Sequence, residues 1–390
     1  MTNKENAAGR NRIYFLDNLR TFMIFLVVLI HAGGVYESSG TWAFFWIVDD
    51  YSTNVLADKL NLIIDIFVMA AIFFVSGFLT PLSLKNKSAG TFLKTKLKRL
   101  MIPWGIAVLT LMPLYKIIYL YSRNIPQESW TTYFHWNNGI FSQNWLWFLP
   151  VLFLFDTLYL IFSKVKIKLP DITIKSAIWA VFIIGFIYSY IMDVFQWQDW
   201  TKTALINFQN ERLLIYFMIF LLGSLCYKQK IFESNPKSKK FYNIIVCTVW
   251  IPTAFYLYLF INTVMKPGNI VFSGTADKLL LWLSFHFSLL FLLYAMVNTF
   301  RYYLNRQGKV GKILSENSYN VYIIHVVVIG GIALTMLNTA IPSLLKYFIL
   351  TVSTYIVSNL LVYFYRKVIK SKILIKNSLS AVPEKTILPG

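Results

Sequence analysis

Two cysteines, Cys226 and Cys247, are all the chain carries in 390 residues, and both sit in apolar stretches with no C-x-x-C spacing. That excludes a disulfide framework and leaves buried thiols as the expectation. Histidine is scarce too. His31, His135, His286 and His325 lie far apart, and no H-E-x-x-H pairing offers ligands to a metal. Charged residues make up only 14% of the chain, where soluble domains carry about a quarter. No polar stretch is long enough for a soluble domain. The longest gaps poor in Lys and Arg, near 41–58 and 122–144, would cap a membrane site rather than hold a catalytic domain.

Apolar residues fill that space: 57% of the chain is hydrophobic, 18% is aromatic, and the mean hydropathy is +0.57. Runs of about 20 apolar residues, enough to cross ~30 Å of hydrocarbon, recur along the sequence. They predict an all-α, polytopic helical bundle of about ten spans. These are Leu19–Tyr36, Leu60–Leu79, Leu100–Tyr121, Trp145–Phe162, Ser176–Met192, Leu213–Tyr227, Tyr242–Ile261, Leu279–Thr299, Tyr319–Leu337 and Leu344–Tyr365. Residues 1–18 and 366–390 read as tails around a transmembrane domain over 19–365.

The net charge of +20 points away from nucleic acid because of where it lies. "KNKSAGTFLKTKLKR", "KVKIK", "KQKIFESNPKSKK", "RYYLNRQGKVGK" and "RKVIKSK" occupy alternate gaps, and the intervening gaps are poor in Lys and Arg. The tendency of basic loops to stay inside then predicts both termini in the cytoplasm. A basic start, an apolar core and "HAGG" resemble a signal-peptide cleavage region. The arginine within the core and the imidazole among the small residues favour a retained span.

That first span, "YFLDNLRTFMIFLVVLIHAGGVYE", carries Arg20 near one end and His31 deep inside. Eleven residues return a helix to nearly the same face and advance it about 16 Å. One helix thus presents a permanent cation near the inner surface and a titratable ring near mid-membrane. Ionisable groups in hydrocarbon are costly and usually face a cavity or a pathway, so the pair marks a functional face. Asp65 enters its span from the outside and reaches similar depth, where it either orients His31 or pairs elsewhere. His286 has no motif around it and reads as an interhelical hydrogen-bonding group. Ser76 and Gly77 read as close helix packing, since no G-x-S-x-G surrounds Ser76. Asp156 and Arg212 are span-edge charges without an assigned role.

The Arg-x10-His segment resembles the first helix of the acyltransferase-3 family of integral membrane acyltransferases. Further segments agree in order: "FFVSGFL" (73–79), "KLKRLMIP" (96–103), "NWLWFLPVL" (144–152) and "SENSYNVYIIHVVV" (315–328). The likeness covers residues 13 to 365, and the opening segment is similar to the branch of osmoregulated periplasmic glucan succinyltransferases. Two departures stand out. Lys96 occupies the first basic position of an Arg-x-x-Arg element, which keeps the charge but loses bidentate geometry. Trp145 replaces a histidine that many members carry before the Trp-Phe-Leu element.

The resemblance implies transfer of an acetyl or succinyl group from cytoplasmic acyl-coenzyme A to a hydroxyl on an extracytoplasmic glycan or lipid-linked sugar. It implies a bacterial cytoplasmic membrane, no tightly bound cofactor and no metal. Arg20, Lys96 and Arg99 would hold the donor phosphates, and the pantetheine arm would run up the shared face of the first helix to His31. The imidazole would act as general base or as transient acyl carrier, with Asp65 orienting it and His325 binding or shuttling protons. Tyr322 shares the face of His325. Outer-loop aromatics in "TWAFFW" and "YFHWNNGIFSQNWLWF" would either stack on sugars or form an interfacial belt. Two rivals stand beside this reading. One is a secondary transporter or flippase using the embedded charges as a path. The other is an inactive scaffold that keeps the shape.

Overall fold

The computed structural model describes residues 13–38, 46–129, 131–132, 143–164, 172–233 and 238–380, with side chains to residue 369. "TWAFF", His135 and most of the loop around it lie outside the described residues. Ten helices are long and apolar enough to cross a bilayer. They are α1 (Tyr14–Gly33), α2 (Val55–Leu84), α3 (Ala89–Ser122), α4 (Asn144–Lys164), α5 (Ile174–Val194), α6 (Asn210–Lys228), α7 (Lys240–Val264), α8 (Gly274–Tyr303), α9 (Lys309–Met336) and α10 (Ser343–Ile369). Among the described residues the strands are one short antiparallel hairpin, β1 (Trp200–Lys202) and β2 (Asn207–Gln209).

Hydrocarbon offers the backbone no hydrogen bonds, so helices carry nearly all of the chain. Side chains close several helix starts. Asn54, Ser88, Thr173 and Ser273 each accept a bond from a first-turn N–H. α3 begins at Ala89 rather than Leu100 because Lys and Leu are good helix formers, and the long basic side chains reach polar surroundings from a helix. For the same reason the last helix continues through "RKVIKSK" to Ser380.

Loops 85–88 and 304–308 lie at the end where α1 starts, called the basic end below; loops 34–54 and 195–209 lie at the opposite end. α1 is central, with α2, α8, α9 and α10 packed on it. α5 and α7 lie at the periphery, and this exposes Cys247, contrary to expectation, while Cys226 is buried. An apolar run facing lipid is hydrophobic without being covered by protein.

The tightest contact joins α2 and α6. A Cβ on Gly77 would stand 1.9 Å from the carbonyl oxygen of Phe220, and one on Gly223 would stand 2.1 Å from that of Phe74. The backbones approach here to a distance only glycine permits, as small residues allow between membrane helices. Gly77→Ala is therefore expected to destabilise the fold by about 1–3 kcal/mol. A lowered midpoint in a thermal melt of detergent-solubilised protein would report it.

α2 breaks at Ile66–Phe67, just beyond Asp65. The Asp65 carbonyl freed by the break accepts a bond from Arg212 Nη1 at 3.3 Å. A broken membrane helix needs such a replacement partner.

At the opposite end, residues 46–54 fold back into the bundle as a strap. Trp46, Ile47 and Val48 are buried, and Ile47 packs on Gly330 of α9. A buried ion pair, Lys346 Nζ to Asp50 Oδ2 at 2.9 Å, ties the strap to α10, and Ser52 bonds the same carboxylate. Nearby, burial pushes the Tyr36 phenol above its ordinary pKa, and the Asp50 charge adds to the shift.

Candidate functional site

The strap encloses two histidines. His31 Nδ1 and His325 Nε2 lie 2.7 Å apart, and His325 Nδ1 lies 2.7 Å from the carbonyl oxygen of Tyr322. A carbonyl only accepts, so His325 Nδ1 carries a proton and donates it. In the neutral ring His325 Nε2 is then the acceptor, and His31 Nδ1–H donates to it. The basic lone pair of His31 is therefore on Nε2. By accepting this bond His325 fixes the tautomer and orientation of the His31 ring.

Aromatic rings hold the pair in place. Trp46 stacks on His31 with centroids 5.2 Å apart, and its Nε1–H donates to the His31 carbonyl at 3.0 Å. Tyr115 meets Trp46 edge-on at 6.3 Å and stacks on Trp145 at 5.7 Å. Trp145 donates to the carbonyl of Ile323 at 2.9 Å, and the Tyr322 hydroxyl donates to the carbonyl of Trp145. His325 is fully buried, while His31 keeps some accessible surface. A ring among buried neighbours that is still accessible has space beside it for at least a water molecule.

The basic end holds Arg20. Its Nη2 donates to Asp17 at 3.2 Å and to the carbonyl and hydroxyl of Ser315, each at 3.3 Å. α1 and α9 run in the same direction and meet at two levels, Arg20 with Ser315 and His31 with His325. Eleven residues separate the levels on α1 and ten on α9, or about 15–16 Å on both helices. The expectation of an open face between them needs correction. Ile24 and Val27, which continue the Arg20 stripe, are only 5% and 3% exposed. The stripe faces α9, which covers it.

Lys96 and Arg99 differ from each other. Lys96 is drawn into the bundle, where Nζ pairs with the buried Asp156 at 2.8 Å and Thr80 donates to the same oxygen at 2.7 Å. Its charge is already neutralised, which removes it from the expected phosphate-binding ring. Arg99 remains exposed within a π-helical turn, Leu97–Met101. Its carbonyl accepts from the Tyr319 hydroxyl at 2.6 Å, one turn along α9 from Ser315. α9 thus holds both exposed-end arginines at adjacent turns.

Asp65 does not orient His31. Its carboxylate binds Arg212 Nη1 at 2.7 Å, because the break in α2 turns it towards α6. His286 bonds within its own helix, Nδ1 to the Trp282 carbonyl at 2.8 Å, while its Nε2 lies against Gly185 of α5. Among the described residues no three His, Cys, Asp or Glu side chains gather as a metal group. The sequence reading missed Trp46, Tyr115, Ser315 and the partner of Arg212. Ser315, at the head of "SENSYNVYIIH", and Trp46, at the end of "TWAFFW", lay in quoted segments, but neither was placed beside Arg20 or His31.

A family model described as an acyltransferase domain matches residues 13–363. Among curated proteins, the glucans biosynthesis protein C of Escherichia coli strain SMS-3-5 is 27% identical over 236 residues. The protein of the same name from strain K12 is 26% identical over 236 residues. Each match covers 57% of this chain and 60% of the relative, so the chain spans rather less than two thirds of the relatives' length.

Proposed function

We propose, from the premise that this chain belongs to the acyltransferase-3 family, that it carries an acyl group from acyl-coenzyme A to a glycan hydroxyl across the membrane. In this reading the basic end faces the cytoplasm of a bacterium and receives the donor. Arg20 and Arg99 bind its phosphates there, since the Arg20 guanidinium and the Arg99 backbone meet α9 at adjacent turns of the basic end and Arg99 is exposed. The acceptor approaches from the opposite end. It resembles the substrate implied by the name of the glucan biosynthesis relatives.

The chemistry falls to His31. Nε2 removes the proton of the acceptor hydroxyl as its oxygen attacks the thioester carbonyl. The new C–O bond replaces the C–S bond, and the departing thiolate takes the proton back from the imidazolium. Tyr322, His325 and His31 form a chain of hydrogen bonds that fixes the tautomer and supports the positive charge during the step. The observation that carries the proposal is this 2.7 Å contact between the two rings.

To reach His31, the donor arm enters the seam between α1 and α9, where Ile24 and Val27 give way. Such opening and closing around a substrate is common in enzymes that exclude water.

Labelled acyl-coenzyme A supplied to inside-out membrane vesicles tests the proposal. Label is expected on an acceptor together with free coenzyme A thiol. Arg20→Ala is expected to raise the donor KM about tenfold, the worth of one charge-assisted phosphate contact. Label that collects in the lumen with no thiol released would overturn the proposal in favour of transport. Parallel reactions with acetyl- and succinyl-coenzyme A identify the donor.

A further inference from the structure

Asp65 and Arg212, which stand apart from the histidine pair, lie beside a group of aromatic rings. The 3-10 turn Asn144–Trp147 that opens α4 sends its two tryptophans to opposite sides, because residues two apart in such a turn point about 240° apart. Trp145 faces the histidine pair. Trp147 faces the hairpin, where it meets Trp200 edge-on with centroids 5.4 Å apart and Tyr216 nearly parallel at 6.4 Å. Trp147 and Trp200 both keep accessible surface.

The hairpin is held firmly. Gln143 donates to the carbonyls of Thr203 and Ala204 at its tip, and Thr201 donates to Asn210. One turn before Tyr216 on α6 stands Arg212. Its side chain is 7% exposed, its Nε is buried with no hydrogen-bond partner, and its partner Asp65 is 47% exposed. A half-exposed ion pair contributes little to stability, whereas burying a guanidinium costs several kcal/mol. Arg212 also satisfies the Asp65 carbonyl at the break in α2, but an intramembrane charge whose partner carboxylate stays half exposed points to a site as well.

The chemistry of the site selects the ligand. The accessible charge is a carboxylate, which repels phosphate and sulfate and so excludes an anionic headgroup. A carboxylate accepts hydrogen bonds from hydroxyl groups, and indole faces cover the apolar C–H side of a ring. Aromatic walls with a few directed polar groups are the usual make-up of a small-molecule site. Between this shelf and the histidines stand three buried rings in series, Phe73, Phe148 and Tyr322. Phe148 is 5.7 Å from Tyr322 and 4.9 Å from Phe73, which stacks on Tyr216 at 5.2 Å.

We propose that Asp65, Trp147, Trp200, Arg212 and Tyr216 form a saccharide subsite that holds a sugar unit of the acceptor at a distance from the one presented to His31. The subsite rests on the glycan acceptor argued above. It gives Asp65 an acceptor-positioning role in place of the expected orienting one.

A linear gluco-oligosaccharide, titrated calorimetrically into the full chain in nanodiscs, tests the subsite without any donor. The parent is expected to bind. Trp200→Ala on the hairpin and Asp65→Asn are each expected to weaken binding about tenfold, a loss of roughly 1.4 kcal/mol. Trp179→Ala, on an exposed surface of α5, is expected to bind like the parent. Trp200→Ala guards against a folding defect in Asp65→Asn, because Trp200 lies outside the spans. Absence of binding by the parent, or parent-like binding by both variants, would overturn the subsite. A parent that binds the oligosaccharide yet never acylates it would keep the subsite and remove the acyl-transfer reading. Acylation with unchanged binding in both variants would do the reverse.

Discussion

Replacing His31 by alanine is expected to lower acyl transfer by about 10²- to 10⁴-fold, the usual worth of a positioned general base, while the protein still accumulates in the membrane. The Tyr322–His325–His31 chain places the His31 proton on Nδ1 and its lone pair on Nε2. The helix itself should survive, since Leu26, Val27, Val28 and Ile30 still pack around it. His325→Gln is expected to cost less. A glutamine amide can still accept from His31 Nδ1 but stabilises the imidazolium less well. Because the two rings act as one unit, the double variant should be no slower than His31→Ala alone. Vesicle transfer of labelled acyl groups, with membrane immunoblots as the control for insertion, measures all three. Parent-like transfer by His31→Ala would remove the base from the mechanism and the mechanism with it.

The second large effect concerns stability. Lys346→Met leaves Asp50 without its cation in a site where both side chains are 2–3% exposed. Breaking a buried pair from one side costs about 3–5 kcal/mol, since the remaining charge has lost its compensation. The Lys346→Met/Asp50→Leu double variant should recover most of that loss. Thermal melts in detergent, followed by size-exclusion fluorescence, give the ordering: single variant well below the parent, double variant close to it. A single variant that melts with the parent would mean water reaches Asp50. Lys116 is equally buried, but the side chain of its partner Glu128 is 37% exposed. Lys116 holds that carboxyl below its usual range by hydrogen bonding, and Glu128→Gln, whose amide oxygen can still accept from Lys116, should cost less than Lys346→Met.

Much of this architecture can be read from the sequence because a bilayer imposes a simple rule on composition. Ten runs of the right length become ten helices, and the period of one helix places Arg20 and His31 on one face. Gly77 likewise behaves as a small packing residue should. What the sequence does not reveal is which distant residue meets which. Asp65 meets Arg212 across 147 positions, and Lys96 meets Asp156 across 60. No periodicity encodes those pairings, so both residues were given roles that their partners exclude. The covered stripe at Ile24 and Val27 escaped notice for the same reason. A helix face can be inferred from one segment, but whatever lies against it comes from another. His325 gained its role mainly through resemblance, and Trp46 stood out only as one of the outer-loop aromatics of "TWAFFW", with nothing to place it against His31.

α1 and α9 point the same way and touch at two heights, like a pair of combs engaged at both ends. Sliding one past the other by a single residue, about 1.5 Å, lengthens the guanidinium–serine contact and the contact between the imidazoles together. Neither end can be disengaged along the axis without loosening the other. The guanidinium contact at the basic end is thereby geared to the ring contact some three turns away.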